Sequence, residues 1–262
     1  MNRKSTIESL VLGCLIITVG GYLAISSGYL SLHTPSVGTN TAQNQQQQTN
    51  QQAQPMNTEE QSCKPLISVS NETENWNVCD SKGNPYQWNM PLSTYDYNVQ
   101  REKPISYLNL QMPDNSRATV VDYTKFVEPD FTKVIDGVYD KAGSDDQFVY
   151  EVWYIVSQMT TYNKDITNDN LWPLEVLGRG GGDCKDLSIL IASMIRSSEH
   201  TKDWQVRLVY LDSDNPTNPK TINHMIVEVN TGKVQYTIEA TAKNNGLHAW
   251  DGTSIFGWRY DV

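Results

Sequence analysis

Hydrophobic and polar residues alternate in three different ways along the chain. Leu10 to Leu32 is a mostly apolar run of 23 residues without a charge. His33 to Ser62 shows no apolar periodicity at all. From Cys63 onward, short patterned segments alternate with turn-forming ones, as expected of a folded domain.

Within that third part, Cys63 to about Asn115 reads as irregular or short β structure, punctuated by Pro65, Pro85, Pro91, Pro104 and Pro113. Helices are predicted over Phe126 to Tyr139 and Asp145 to Tyr162. In the second, Phe148, Val152, Ile155, Val156 and Met159 recur at the spacing of one buried face. The segment "NKDITNDNLWP" reads as a polar loop, because Pro173 disfavours a helix running through it. A further helix carries Leu187, Leu190, Ile191, Met194 and Ile195 as one apolar stripe. Strands follow at Trp204 to Leu211, then at Ile222 to Val229 and Val234 to Thr241 as a hairpin around "NTGK". Helices first and strands afterwards predict an α+β domain.

The run at 10–32 is long enough to cross a bilayer with some tilt. Arg3 and Lys4 precede it, which keeps residues 1–9 in the cytoplasm and places everything after the span outside. A cleaved signal peptide is the competing reading, although the run is longer than the usual signal core. Cys14 as a lipid-attachment site fits poorly, since most of the apolar run follows it. Residues 33–62, rich in Gln and Asn, read as a disordered tether. The remaining residues 63–262 suit one extracytoplasmic domain.

A formal charge of −10 argues against nucleic acid as a partner. Of four cysteines, Cys14 lies in the apolar run, while Cys63 and Cys79 are placed to form a disulfide in an oxidising compartment. That pairing leaves Cys184 unpaired. Asn71-Glu72-Thr73 matches a glycosylation acceptor, a weak signal.

Cys184 sits in "GRGGGDCKDLSILIASMIRS". Asp183 fits a helix N-cap, and Asp186 is spaced to return a bond, as in a capping box. Cys184 then occupies the first helical position, where free N–H groups and the positive end of the dipole favour a thiolate. The glycines before it permit unusual turns and leave room for another backbone, a substrate's included. Alternation along the hairpin assigns Met225, Val227 and Val229 to one face and His224 to the other. With Val229 opposite Val234, His224 stands directly opposite Glu239, within reach of a ring N–H. A three-residue loop would set His224 against Ile238 instead, at the cost of mixing the two faces. Thiol, imidazole and carboxylate are the nucleophile, base and orienter of a cysteine triad.

The stretches "WPLEVLGRGGGDCKDLSILIASMIRS", "NHMIVEV" and "YTIEAT" resemble the transglutaminase-like cysteine-hydrolase superfamily, a circularly permuted relative of the papain fold. They are most similar to prokaryotic membrane-anchored members with a W-P-x-E-x-L-x-x-G-x-G-D-C-x-D run. The resemblance covers about 148–241. It implies Cys184 as nucleophile, His224 as base, and Glu239 where the family usually has aspartate. It implies a structural role for Asp186, and acyl transfer or amide and peptide hydrolysis through a thioester. Protein or peptide substrates at the cell envelope follow as the expectation, with no metal and no cofactor. A catalytically silent module that binds peptides in the same cleft is the alternative.

Several of these residues also have a plainer reading. Cys184 as a plain core residue is the ordinary state of a free cysteine. His248 in "HAW" competes with His224 for the base, but no strand is predicted there; it is expected in a C-terminal tail packed with Trp250, Phe256 and Trp258. Glu239 could be a solvated strand residue. Trp172 and Tyr162, with Gly182 and Asp183, are weak candidates for lining the cleft. The glycines lack the Gly-Lys-Ser/Thr ending of a phosphate loop. Zinc on Cys184, His224 and Glu239 is allowed by residue type but lacks close-spaced ligand pairs.

Overall fold

The computed structural model describes residues 63–164, 169–249 and 255–262. The expected membrane run, the tether and Trp250 lie outside the described residues. Among those described, no helix is long and apolar enough to cross a membrane.

The first part is more regular than its prolines suggest. Strands β1 (Leu66–Ser70), β2 (Thr73–Cys79) and β3 (Pro85–Pro91) form an antiparallel sheet in that order. Asn71 and Glu72, both at positive φ, make the two-residue turn between β1 and β2. A helix, α1 (Leu92–Gln100), then starts directly after Pro91. The sequence hid it because only Asn98 is buried, while Tyr97 and Val99 are exposed, so no apolar stripe was there to read. A hairpin of β4 (Tyr107–Gln111) and β5 (Arg117–Val121) follows.

The helix expected over 126–139 is displaced. A short 3₁₀ turn occupies Tyr123–Phe126, and α2 runs over Thr132–Ala142. Pro129 is the reason, since the residue before a proline avoids helical backbone. Gly143, at φ 78, closes α2 in the left-handed conformation. Helix α3 (Asp145–Met159) begins where Ser144 accepts from the Gln147 N–H and stops three residues short of the expected end. Beyond it, β6 (Thr161–Tyr162) pairs in parallel with β7 (Gly181–Gly182). Between them, α4 (Pro173–Gly178) takes Pro173 as its first residue, the one helical position that needs no N–H.

Helix α5 (Cys184–Arg196) is the centre of the domain. Its predicted stripe is buried at 0–1% exposure, and so are Ile189 and Ala192 on the other faces. It packs on β8 (Gln205–Leu211) and β9 (His224–Asn230), with α3 beside it. With β10 (Gln235–Ile238), β11 (Leu247–Ala249) and β12 (Trp258–Asp261), these strands form an antiparallel sheet in the order β11-β10-β9-β8-β12. Met225, Val227 and Val229 face the main core; Val209, Leu211 and Ile226 form a small cluster of their own. Helices α2 to α5 precede this sheet, but β1 to β5 come ahead of them and β6 and β7 lie between, so the domain is mixed α and β.

Cys63 and Cys79 are joined, with sulfurs 2.04 Å apart. The loop they close is short and contains β1. Cys79 is also held through its backbone: its N–H donates to Gln158 Oε1 at 2.9 Å, and its carbonyl accepts from Gln158 Nε2 at 2.7 Å. Replacing both cysteines by alanine is expected to lower unfolding free energy by about 2–4 kcal/mol. Urea unfolding of the wild type with and without reductant, beside the double variant, checks this; equal stabilities in all three would contradict it.

Candidate active site

The site is assembled at the entrance of α5. Asp183 is its N-cap: Oδ1 accepts from the N–H of Lys185 at 3.0 Å and of Asp186 at 3.4 Å. Asp186 returns the bond, its Oδ2 accepting from the Asp183 N–H at 3.1 Å. The capping box expected from the sequence is therefore present. It places Cys184 at the first helical position, partly accessible and unpaired among the described cysteines.

The glycines make the turns expected, with Gly180 at φ 69 and Gly181 at φ 145, and they leave room for another backbone. A Cβ on Gly181 would lie 2.0 Å from the Thr161 carbonyl oxygen, and one on Gly182 would lie 2.6 Å from Asp186 Cβ. The backbone that comes close is β6 of this same chain: Thr161 N–H donates to Gly180 O and Asn163 N–H to Gly182 O, each at 2.9 Å. Gly182 and Asp183 are thus parts of the frame around Cys184.

The hairpin register differs from the expected one by two positions. Tyr236 stands opposite Val229 and Gln235 opposite Asn230, leaving a four-residue loop, 231–234, closed by Thr231 N–H to Val234 O at 3.1 Å. A shift of two keeps every side chain on its face. It moves Glu239 away from direct opposition to His224, and β10 ends at Ile238 before reaching it. Contact is made diagonally: His224 Nε2 lies 2.7 Å from Glu239 Oε2. The other oxygen, Oε1, accepts from the Thr241 N–H at 3.1 Å and the Thr241 hydroxyl at 2.6 Å. Nε2 is engaged there, and the ring also interacts with the Cys184 thiol, which contributes to its raised pKa.

Burial alone would lower the His224 pKa. Hydrogen bonds to Cys184 and Glu239, and the charges of both, outweigh burial and lift it from 6.5 to about 10. For Glu239, burial pulls upward, but His224 and Thr241 prevail and hold the carboxyl below its ordinary value. The ring is therefore a cation at neutral pH, held between a carboxylate and the sulfur.

Around this line stand residues the sequence reading passed over. Lys185 turns back, its ammonium 2.7 Å from Asp183 Oδ2 and 3.5 Å from Asp186 Oδ2. Burial works against its charge, and the two carboxylates reverse the effect and raise its pKa. Asp186, 1% exposed, is pushed up to about 7, chiefly by burial, with Lys185 opposing. Its structural role agrees with the expectation. Tyr123 lies in the field of Cys184, Asp183 and Lys185, and burial pushes its hydroxyl up to about 12.

Of the two aromatic cleft candidates, Tyr162 is exposed, 43%, and feels the charges of Cys184, Asp183 and Glu239. Trp172 does not line a cleft. It is buried at 3% exposure, packed against Phe126, with the Arg101 guanidinium 3.7 Å above its ring. His248 corrects a second expectation. It lies on a strand after all, opposite Thr237, and its side chain is exposed. Phe256 and Trp258 do pack together, edge to face. Among the described residues, no group of three His, Cys, Asp or Glu is arranged to hold a metal ion.

No family model matches the chain, and no curated protein matches it. Among solved structures it is similar to the crystal structure of a candidate cysteine protease from Cytophaga hutchinsonii. That match has 15% identity and a TM-score of 0.33, over 61% of this chain and 73% of that one. At that TM-score the likeness adds no weight to the site geometry.

The signs of the two shifts set a pH dependence. The stabilisation linked to His224 is complete below 6.5 and fades as pH rises through about 10. That linked to Glu239 is complete above 4.5 and is lost as pH falls through its lowered value. The stability difference between wild type and His224→Gln is therefore expected to be widest between pH 4.5 and 6.5 and to shrink on both sides. Urea unfolding across pH measures it; a difference that stays level from 6.5 to 10 would contradict the charged-ring arrangement.

Proposed function

We propose that residues 63–262 form a cysteine hydrolase or acyltransferase of the transglutaminase-like kind, acting on peptide or amide bonds. The observation that carries this reading is the His224–Glu239 pair at 2.7 Å, electrostatically coupled to a partly accessible Cys184 at the entrance of α5.

In the proposed reaction, the Cys184 thiolate attacks the acyl carbon, and the carbonyl π electrons move onto oxygen. The backbone N–H of Cys184 is a natural donor to that oxyanion. As the tetrahedral species collapses, the carbon–nitrogen bond breaks, and the leaving amine takes the proton of the His224 imidazolium. A thioester remains on Cys184. Water, or a second amine, then gives a proton to the neutral imidazole while attacking the thioester carbon, and the thiolate leaves. Glu239 keeps the ring oriented and stabilises its cationic form throughout. Nothing else has to be consumed.

Glutamate in place of the family's aspartate suits this structure. The position lies beyond the end of β10, and the longer side chain spans the diagonal to His224. The uncharged run at 10–32 would anchor the chain in a membrane, with 33–62 as a tether and the domain outside. Cell-envelope proteins or peptides would then be the accessible substrates.

A screen of peptide-like electrophiles, read by intact mass, tests the chemistry. Wild type is expected to gain a single adduct on Cys184 that is absent from Cys184→Ala. Removing the base in His224→Ala should slow the reaction on the order of a hundredfold. No adduct, or the same rate in His224→Ala, would remove the catalytic reading and leave a peptide-binding module with this fold.

A further inference from the structure

Glu239 does not lie within the sheet, so something else must fix its position. It opens the segment 239–246 that joins β10 to β11. The segment is closed on itself by Glu239 N–H to Gly246 O at 2.6 Å and Ala242 N–H to Glu239 O at 3.3 Å. Those bonds give it a shape but do not attach it to the half of the site that carries the thiol.

Lys243 makes that attachment. Its ammonium donates to the carbonyl of Ser157 at 2.5 Å and also to that of Thr160. Both carbonyls belong to the C-terminal end of α3, where carbonyls lack helical partners and the dipole is negative. Helix α3 has no basic residue of its own in its last turn, so the cation comes from a distant part of the chain. Thr160 leads directly into β6, and β6 is bonded to Gly180 and Gly182, the residues just ahead of Asp183 and Cys184. A non-covalent path therefore runs from Glu239 through Lys243 to Thr160, across the paired backbones of β6 and β7, and into the entrance of α5. Gly246 anchors the far end of the same segment by close approach to α3: a Cβ there would lie 2.3 Å from Trp153 Nε1.

We propose that Lys243 is a positioning residue: by clamping the 239–246 segment onto the end of α3, it sets where the Glu239 carboxylate stands relative to Cys184, and so how the His224 ring is aimed. This rests on the reading of Cys184 as a nucleophile with His224 as its base. Lys243 touches no reacting atom; it acts through Glu239.

The test uses the full chain and follows alkylation of Cys184 by iodoacetamide as a function of pH, with circular dichroism and thermal unfolding as checks on the fold. Lys243→Met is expected to stay folded and to react about tenfold more slowly at neutral pH, with its profile moved toward that of Glu239→Gln. Lys243→Arg, which keeps the charge and the donors, should recover most of the rate. The decisive comparison is Lys243→Met combined with Glu239→Gln: it should be no slower than Glu239→Gln alone, because the two changes lie on one path. A folded Lys243→Met with the wild-type rate and profile would overturn the proposal. So would an equal slowing in the Glu239→Gln background. Should Lys243→Met fail to fold, Lys243→Gln, which can still donate to one carbonyl, enters the same comparison with the same two deciding outcomes. Failure of the underlying nucleophile reading looks different: Cys184 would then react no faster in wild type than in His224→Ala, whatever stands at 243.

Discussion

The cap that Asp183 places on the first turn of α5 is the constraint on which the site depends. One carboxylate oxygen takes the N–H groups of Lys185 and Asp186, and the other takes the Lys185 ammonium. With those bonds made, the helix can begin at only one residue, and that residue is Cys184. The cap has a charge problem, because Asp183 and Asp186 are adjacent acids in a buried setting. Lys185 answers it from between them. The lysine follows Cys184 directly yet is turned inward and committed to the frame.

The same economy governs the acid end. Glu239 has two oxygens and both are used, one on the imidazole and one on Thr241. A carboxylate with a free oxygen could swing; this one has a single orientation. The charged ring, a donor at both nitrogens, is then fixed in orientation by that carboxylate. Its raised pKa expresses this in energetic form, since burial alone would have discharged it.

Much of this was legible in the sequence, for identifiable reasons. Capping chemistry is local, so Asp183, Cys184 and Asp186 could be read within a few residues of one another. The buried stripe of α5 followed from periodicity, and the faces of β9 and β10 from alternation. What failed was whatever depends on distance along the chain. The hairpin loop has the expected length but sits one residue later, at 231–234, which moves the register by two; alternation cannot detect this, because a shift of two leaves every face intact. The glycines signalled room for another backbone, but no local signal reveals that Thr161, far back in the sequence, fills it. Trp172 beside a catalytic motif looked like a cleft residue, and no local signal reveals that Phe126 and Arg101 enclose it. Helix α1 escaped because a helix with one buried residue has no apolar stripe to recognise.

The placement of the disulfide determines how the domain bears tension. A pull transmitted through the residues before Cys63 reaches the fold at that cysteine. The covalent bridge hands the load across to Cys79, whose backbone is bonded on both sides to Gln158 of α3. Strand β1, exposed along its whole length, lies inside the bridged loop and is bypassed. A pull applied at Cys63 therefore does not have to pass through β1 and β2 in turn. It is passed to α3, a helix that runs through the core.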